Sequence, residues 1–172
     1  GVLNLVQKVR QRSDVPIVLF GYSNPFFLYG YDKLCVEAAE VGVDGMLVVD
    51  MPFEESREIQ SALDANQLLR IPLIAPTTGQ SRSTCILEQC RGFVYYIMIT
   101  GVTGVRTTIA KNINERVQEL RKCTDIPIAV GFGISNGAQA KQAVELADAV
   151  VVGSALVQAS RDERLSEFIK EL

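Results

Sequence analysis

The sequence predicts an α/β fold of barrel type, parallel strands alternating with helices, and three observations carry that expectation. Six short runs rich in β-branched residues recur, at 16–22, 45–50, 71–76, 92–99, 127–133 and 149–153, with helical patterns between them. The runs are nearly continuously apolar, which suits parallel strands covered on both faces better than half-exposed antiparallel ones. Three of them end in glycine-rich turns: 95–100 into Gly101-Val102-Thr103-Gly104, 128–130 into Gly131-Phe132-Gly133-Ile134-Ser135, and 149–152 into Gly153-Ser154-Ala155. Such turns put bare backbone amides at the carboxyl ends of buried strands, where helix N-termini favour an anion, so a phosphate pocket is expected there.

Taken in order, Val2, Leu5, Val6 and Val9 form a helical stripe starting at the first residues. The run 16–22 closes at Tyr22-Ser23-Asn24-Pro25, read as a turn in which the proline restricts Asn24. Phe26, Phe27, Leu28 and Tyr29 follow as an apolar, aromatic stretch suited to a protein partner. The run 45–50 ends at Asp50-Met51-Pro52, ahead of a helix with Glu54 and Glu55 in its first turn. Asp50 stands at the carboxyl end of its strand, as a chemical group or as a turn or partner-contact residue. Tyr95 lies inside an apolar strand, as core or with its phenol turned to the barrel mouth.

Gly101 and Gly104 flank a loop that, with Arg106-Thr107-Thr108 ahead of a helix near Asn112, has the hinge and length of a lid. Ile113, Val117 and Leu120 mark the next helix face. Ser135 or Asn136 caps the helix carrying Ala143 and Val144, and Leu165, Phe168, Ile169 and Leu172 line the last helix.

The glycines choose between an open sheet and a barrel. Gly131-Phe132-Gly133 starts like a dinucleotide fingerprint, but Asn136 stands where the third glycine belongs and the motif comes late in the chain. A barrel carries its phosphate motif after its last two strands. Because a full (β/α)8 TIM barrel takes about 250 residues, these 172 residues are expected to be one domain, a barrel fragment lacking roughly the first two βα units.

Composition narrows the function. At 48% apolar, 22% charged and net charge −3, the chain reads as a single globular domain, without the basic surface of a nucleic-acid or anionic-membrane binder. No apolar run is long enough to span a bilayer and no leader is evident, so the cytoplasm is the expected compartment. Cys35, Cys85, Cys90 and Cys123 lack paired C-x-x-C spacing and are expected to be reduced packing residues, with no metal site. The absence of histidine removes Ser-His-Asp and Cys-His catalysis, leaving carboxylates, tyrosine, lysine or water for proton transfer.

The sequence resembles the tryptophan synthase alpha subunit family along essentially its whole length. The resemblance rests on Tyr22-Ser23-Asn24-Pro25, Gly42-Val43-Asp44-Gly45, residues 49–55 (Val-Asp-Met-Pro-Phe-Glu-Glu), Ile74-Ala75-Pro76-Thr77-Thr78, residues 101–106 (Gly-Val-Thr-Gly-Val-Arg), residues 130–135 (Val-Gly-Phe-Gly-Ile-Ser) and Gly153-Ser154-Ala155-Leu156-Val157. It implies a barrel lyase that splits indole-3-glycerol phosphate into indole and glyceraldehyde 3-phosphate in tryptophan biosynthesis. It also implies an alpha2-beta2 assembly with a beta subunit, which holds the pyridoxal phosphate, while the alpha subunit has no cofactor.

Residue by residue, Gly104, Gly131, Phe132, Gly133, Ile134, Gly153 and Ser154 resemble the phosphate cradle. Phe20, Tyr22, Leu47, Val49 and Leu73 resemble the indole pocket, and Tyr95 the tyrosine beside the substrate. Thr103 resembles the loop threonine that holds the catalytic aspartate. Asn24, Pro25, Phe27, Asp50 and Pro52 resemble the face that docks the beta subunit. The catalytic glutamate and aspartate of the family are expected to lie upstream of these residues. Two alternatives stay open: a non-catalytic allosteric partner that binds a phosphorylated ligand, and another phosphosugar barrel enzyme.

Overall fold

The computed structural model describes residues 1–97, 106–131 and 133–172, the side chains of 106–113 excepted. These residues form two compact units, Gly1–Leu73 with Cys90–Gly92, and Ile74–Gln89 with Phe93–Leu172.

In the first unit, α1 (Val2–Arg10), β1 (Val18–Gly21), α2 (Ser23–Tyr29), α3 (Tyr31–Val41), β2 (Gly45–Val48), a 3-10 turn (Phe53–Glu55), α4 (Arg57–Ala65) and β3 (Leu69–Arg70) follow in order. The strands make a sheet in the order β1-β2-β3, with Val18 opposite Gly45 and Gly45 opposite Leu69, all parallel. Val6, Leu34, Cys35, Ala38, Met46, Ile59 and Leu63 build its core. Only part of the predicted α1 stripe is covered: Val6 is buried, whereas Val2 and Leu5 are exposed.

The second unit runs from β4 (Leu73–Ile74), at the border, through α5 (Gln80–Glu88), β5 (Val94–Ile97), α6 (Arg106–Arg121), β6 (Ile128–Gly131), α7 (Gly137–Val144), β7 (Ala149–Val150), α8 (Ser154–Arg161) and α9 (Leu165–Glu171). Its sheet order is β4-β5-β6-β7, with Val94 opposite Ile128 and Ala129 opposite Ala149 in parallel register. Every residue of β6 is buried, as the continuous apolar run requires of a strand covered on both faces. Val117 and Leu120 are buried on α6, but Ile169 and Leu172 at the C-terminal end are exposed.

Three local expectations are corrected. The run 71–76 is a strand only over β4, Leu73–Ile74: β3 ends before the run begins, and Pro72 has no N–H with which to extend β4 backwards. Tyr22-Ser23-Asn24-Pro25 is not a simple turn, because α2 starts at Ser23. Pro25 falls in the first turn, where no intrahelical donor is needed, and Asp50 Oδ1 accepts from the Ser23 N–H at 2.6 Å. Arg106-Thr107-Thr108 opens α6 rather than preceding it. Among the cysteines, Cys35 is buried and Cys85 is exposed rather than packed. Burial pushes the Cys35 and Cys90 thiols up to about 11, which keeps them protonated.

A short segment recurs in the two units. Residues 10–17 read Arg-Gln-Arg-Ser-Asp-Val-Pro-Ile and residues 121–128 read Arg-Lys-Cys-Thr-Asp-Ile-Pro-Ile. The Val15 N–H donates to Ser13 Oγ at 3.2 Å, and the Ile126 N–H to Thr124 Oγ1 at 3.1 Å. Each segment leads into a strand whose opening amide is taken by an aspartate from a later loop. Ile17 N–H donates to Asp44 Oδ2 at 2.7 Å and Ile128 N–H to Asp148 Oδ2 at 2.8 Å. The aspartate amides return the bond to Ile17 O and Ile128 O, and Arg10 and Arg121 pair with the same carboxylates at 2.6 and 2.9 Å.

The Ile128 amide, helped by Arg121, holds the Asp148 carboxyl below its ordinary value against the opposing effect of burial. Stability from a depressed carboxyl is present at neutral pH and is lost as pH falls through the folded-state value, below about 4. Asp148→Ala should lower the unfolding free energy by about 1–3 kcal/mol and flatten that acid loss, while Asp148→Asn, which keeps an oxygen for Ile128, costs less. Urea unfolding at pH 7 and pH 3 checks both.

Candidate functional site

The site is built where strands end. Because β5, β6 and β7 are parallel neighbours, with Ile97 opposite Gly131 and Val130 opposite Val150, the segments that follow β6 and β7 emerge at the same end of the sheet. The Val151 N–H continues the ladder to Val130 O at 2.8 Å. Gly131, Gly133, Ile134, Gly153 and Ser154 are brought to this end. Gly104, Phe132 and Thr103 lie outside the described residues, as does the lid expected around 101–105.

Gly133 has φ +42°, a left-handed conformation that glycine adopts without strain, and is exposed. Ile134 next to it is 3% exposed, so its side chain anchors the turn in the core. Gly153 precedes α8 and supplies no side-chain acceptor to it, and neither α7 nor α8 has an acidic residue in its first turn. Gly153 and Ser154 are exposed. Amides at the start of α8, with no acidic residue in that first turn, present partial positive charge, an arrangement that can take an oxyanion.

Gly131 has a different neighbour. A Cβ built on it would stand 2.6 Å from Cε2 and Cζ of Tyr95 and would overlap the phenol oxygen. The missing side chain makes room for the Tyr95 ring on the adjacent strand. Tyr95 is 7% exposed, and burial raises its phenol above the ordinary value, which keeps it protonated.

In the first unit, Phe20 sits opposite Leu47, and the Val49 N–H bonds to Gly21 O just before Tyr22. The period of two along a strand therefore puts Phe20, Tyr22, Leu47 and Val49 on one face of the β1-β2 pair. Leu47 is buried, Val49 half-buried, and Phe20 and Tyr22 exposed. Leu73, the remaining member of the expected apolar wall, is half-buried in β4.

Asn24, Pro25 and Phe27 lie on α2, and Phe27 is exposed. Asp50 ties this helix to the end of β2, its Oδ2 accepting from Ser23 Oγ at 3.0 Å in addition to the backbone bond. The Ser23 amide, more than the hydroxyl, lowers the Asp50 carboxyl pKa. Pro52 leads into the 3-10 turn, where Phe53 carries the Arg70 guanidinium over its ring at 4.5 Å.

A family model for the tryptophan synthase alpha chain matches residues 1–170. The chain belongs to this family. A tryptophan synthase alpha chain from Geobacter sp. (strain M21) is 44% identical over all 172 residues, and one from Granulibacter bethesdensis is 47% identical over 156 residues, covering 90% of this chain and 56% of its own. This chain spans 64% of the length of the Geobacter relative. The solved tryptophan synthase subunit alpha from Campylobacter jejuni superposes with a TM-score of 0.90 at 28% identity, covering 99% of this chain and 69% of that one. Tryptophan synthase from M. tuberculosis superposes with a TM-score of 0.87 at 32% identity, covering 98% and 64%. As in other tryptophan synthase alpha chains, the parallel strands and their helices are part of a (β/α)8 barrel.

The strand pattern missed several residues that shape this family member's strand ends. Ser23 receives Asp50, and Arg116 of α6 donates to Thr78 O and, at 3.3 Å, to Ser83 Oγ, which braces the loop after β4. Gln139 was legible as the third helical residue after Asn136, the spacing of a capping box. Among the described residues no cluster of His, Cys, Asp and Glu could hold a metal, and no helix is long and apolar enough to cross a membrane.

The Gly131–Tyr95 contact predicts coupling. Gly131→Ala should destabilise the protein by about 1–3 kcal/mol through overpacking, and Tyr95→Leu should return part of that loss, so that the double variant costs less than the sum of the singles. A double-mutant cycle in urea measures it, and strict additivity would contradict the contact.

Proposed function

We propose that these residues form the substrate-binding part of a tryptophan synthase alpha subunit, whose complete protein cleaves indole-3-glycerol phosphate to indole and glyceraldehyde 3-phosphate. The observation that carries this reading is the convergence of Gly133, Gly153 and Ser154 at one end of β6 and β7, beside helix starts that lack an acidic side chain. The family match over residues 1–170 supports phosphate as the anion. Phe20, Tyr22, Leu47, Val49 and Leu73 offer the apolar surface that an indole ring needs.

In the cleavage, the ring carbon bonded to the side chain takes up a proton as the ring nitrogen gives one up. Removal of the proton from the adjacent hydroxyl then breaks the carbon–carbon bond, forming the aldehyde and returning the electron pair to the ring, whose nitrogen takes back a proton to give indole. Two placed carboxylates can serve these transfers. In the family these are a glutamate and an aspartate, which match no position among these residues. Tyr95 packs beside the substrate and Thr103 orients the aspartate. The α2 face with Asn24, Pro25 and Phe27, together with Asp50 and Pro52, docks a beta subunit that carries pyridoxal phosphate in an alpha2-beta2 complex.

Calorimetric titration with sn-glycerol 3-phosphate tests the cradle. The parent chain should bind, and Gly133→Asp should not, because it sets a carboxylate against the phosphate dianion and a Cβ at a left-handed position. Equal affinity would remove Gly133 from the site. In the complete protein, Thr103→Val should leave ligand affinity nearly intact while turnover collapses, read by steady-state kinetics.

A further inference from the structure

Downstream of Gly133 the chain is held at two successive residues by different means. Ile134 is held by burial. Ser135 is held by the side chain of Gln139, whose Oε1 accepts from the Ser135 N–H at 2.8 Å and from Ser135 Oγ at 3.0 Å. The backbone N–H can only donate, so the atom that faces it must be the amide oxygen and not the nitrogen. Gln139 is held in turn: its own N–H donates to Asn136 Oδ1 at 3.0 Å, and the Ala140 N–H donates to Asn136 O at 3.1 Å. Asn136 caps α7 in extended conformation, φ −159° and ψ 165°. Side chain and backbone thus interlock Ser135, Asn136 and Gln139 in the stretch that leaves Gly133.

We propose that Gln139 is a positioning residue for the phosphate turn: by fastening Ser135 to the first turn of α7 it keeps Gly133 in its left-handed conformation, with the turn's amides arranged for an oxyanion before any ligand arrives. The proposal rests on the reading of that turn as part of the phosphate cradle. Gln139 needs no contact with the ligand. Ser135 and Asn136 are exposed, so donors released by its loss regain water and folding is little affected. The cost falls on binding, because a loosened turn must be ordered again by every ligand that arrives.

The test uses the full chain and sn-glycerol 3-phosphate. Gln139→Leu should raise the Kd about tenfold, as expected for ordering about one residue's backbone at each binding event, with the thermal midpoint nearly unchanged. The Ser135 amide should exchange faster in Gln139→Leu and stay protected in Gln139→Glu, which keeps an oxygen for both donors. Should Gln139→Leu fail to fold, Ser135→Ala removes the hydroxyl bond alone, with about a threefold rise in Kd expected. Equal affinity in parent and variant overturns the proposal. So does a variant whose affinity falls only in step with its thermal midpoint, the mark of a merely structural role. A parent chain that does not bind glycerol phosphate at all would overturn the phosphate reading itself, before any variant is compared.

Discussion

The backbone amide where a parallel strand begins needs an acceptor, most of all where the strand is buried from its first residue, as β6 is. In both units the acceptor is an aspartate carried by the loop before a neighbouring strand: Asp44 for Ile17 and Asp148 for Ile128. Each aspartate also returns its own N–H to the same isoleucine and takes an arginine from the helix before it. One side chain therefore sets the register of a strand pair and docks a helix end. Asp44 lies just before β2 and Asp148 just before β7, so the positions of Asp50 at one carboxyl end and Gly153 at the other follow from these contacts.

The two units use their carboxyl ends differently. After β1, the start of α2 is answered from within the chain, because the Asp50 carboxylate already occupies the Ser23 amide and hydroxyl. After β6 and β7, the starts of α7 and α8 have no acidic side chain, and Asn136 caps α7 with a neutral amide. A helix start satisfied by the protein's own carboxylate is closed to an anion, whereas one left to glycine and serine is open to it.

Much of this was legible in the residues. The apolar runs at 45–50 and 127–133 contain β2 and β6, because parallel strands covered on both faces leave an unbroken apolar trace, and the glycines at the ends of β6 and β7 marked the strand ends that matter. What hydropathy could not show was direction and partnership. Pro72 delays the start of β4 to Leu73 within a run whose composition is uniform, since the deciding property is a missing N–H and not polarity. Ser23-Asn24-Pro25 has turn composition, and it is a helix start because an acceptor arrives from Asp50, remote in sequence. Gly131 reads like its neighbours in the motif, yet the space beside it belongs to Tyr95, a fact that resides in the pairing of β5 with β6.

The most direct measurement of the account is an amide chemical-shift titration of the chain with inorganic phosphate. The account predicts that Gly133, Gly153 and Ser154 shift together along one saturating curve, while the Ser23 amide, already bonded to Asp50, stays where it is. Shifts at Ser23 or elsewhere, with Gly153 and Ser154 unmoved, would contradict the assignment of the open helix starts as the anion site.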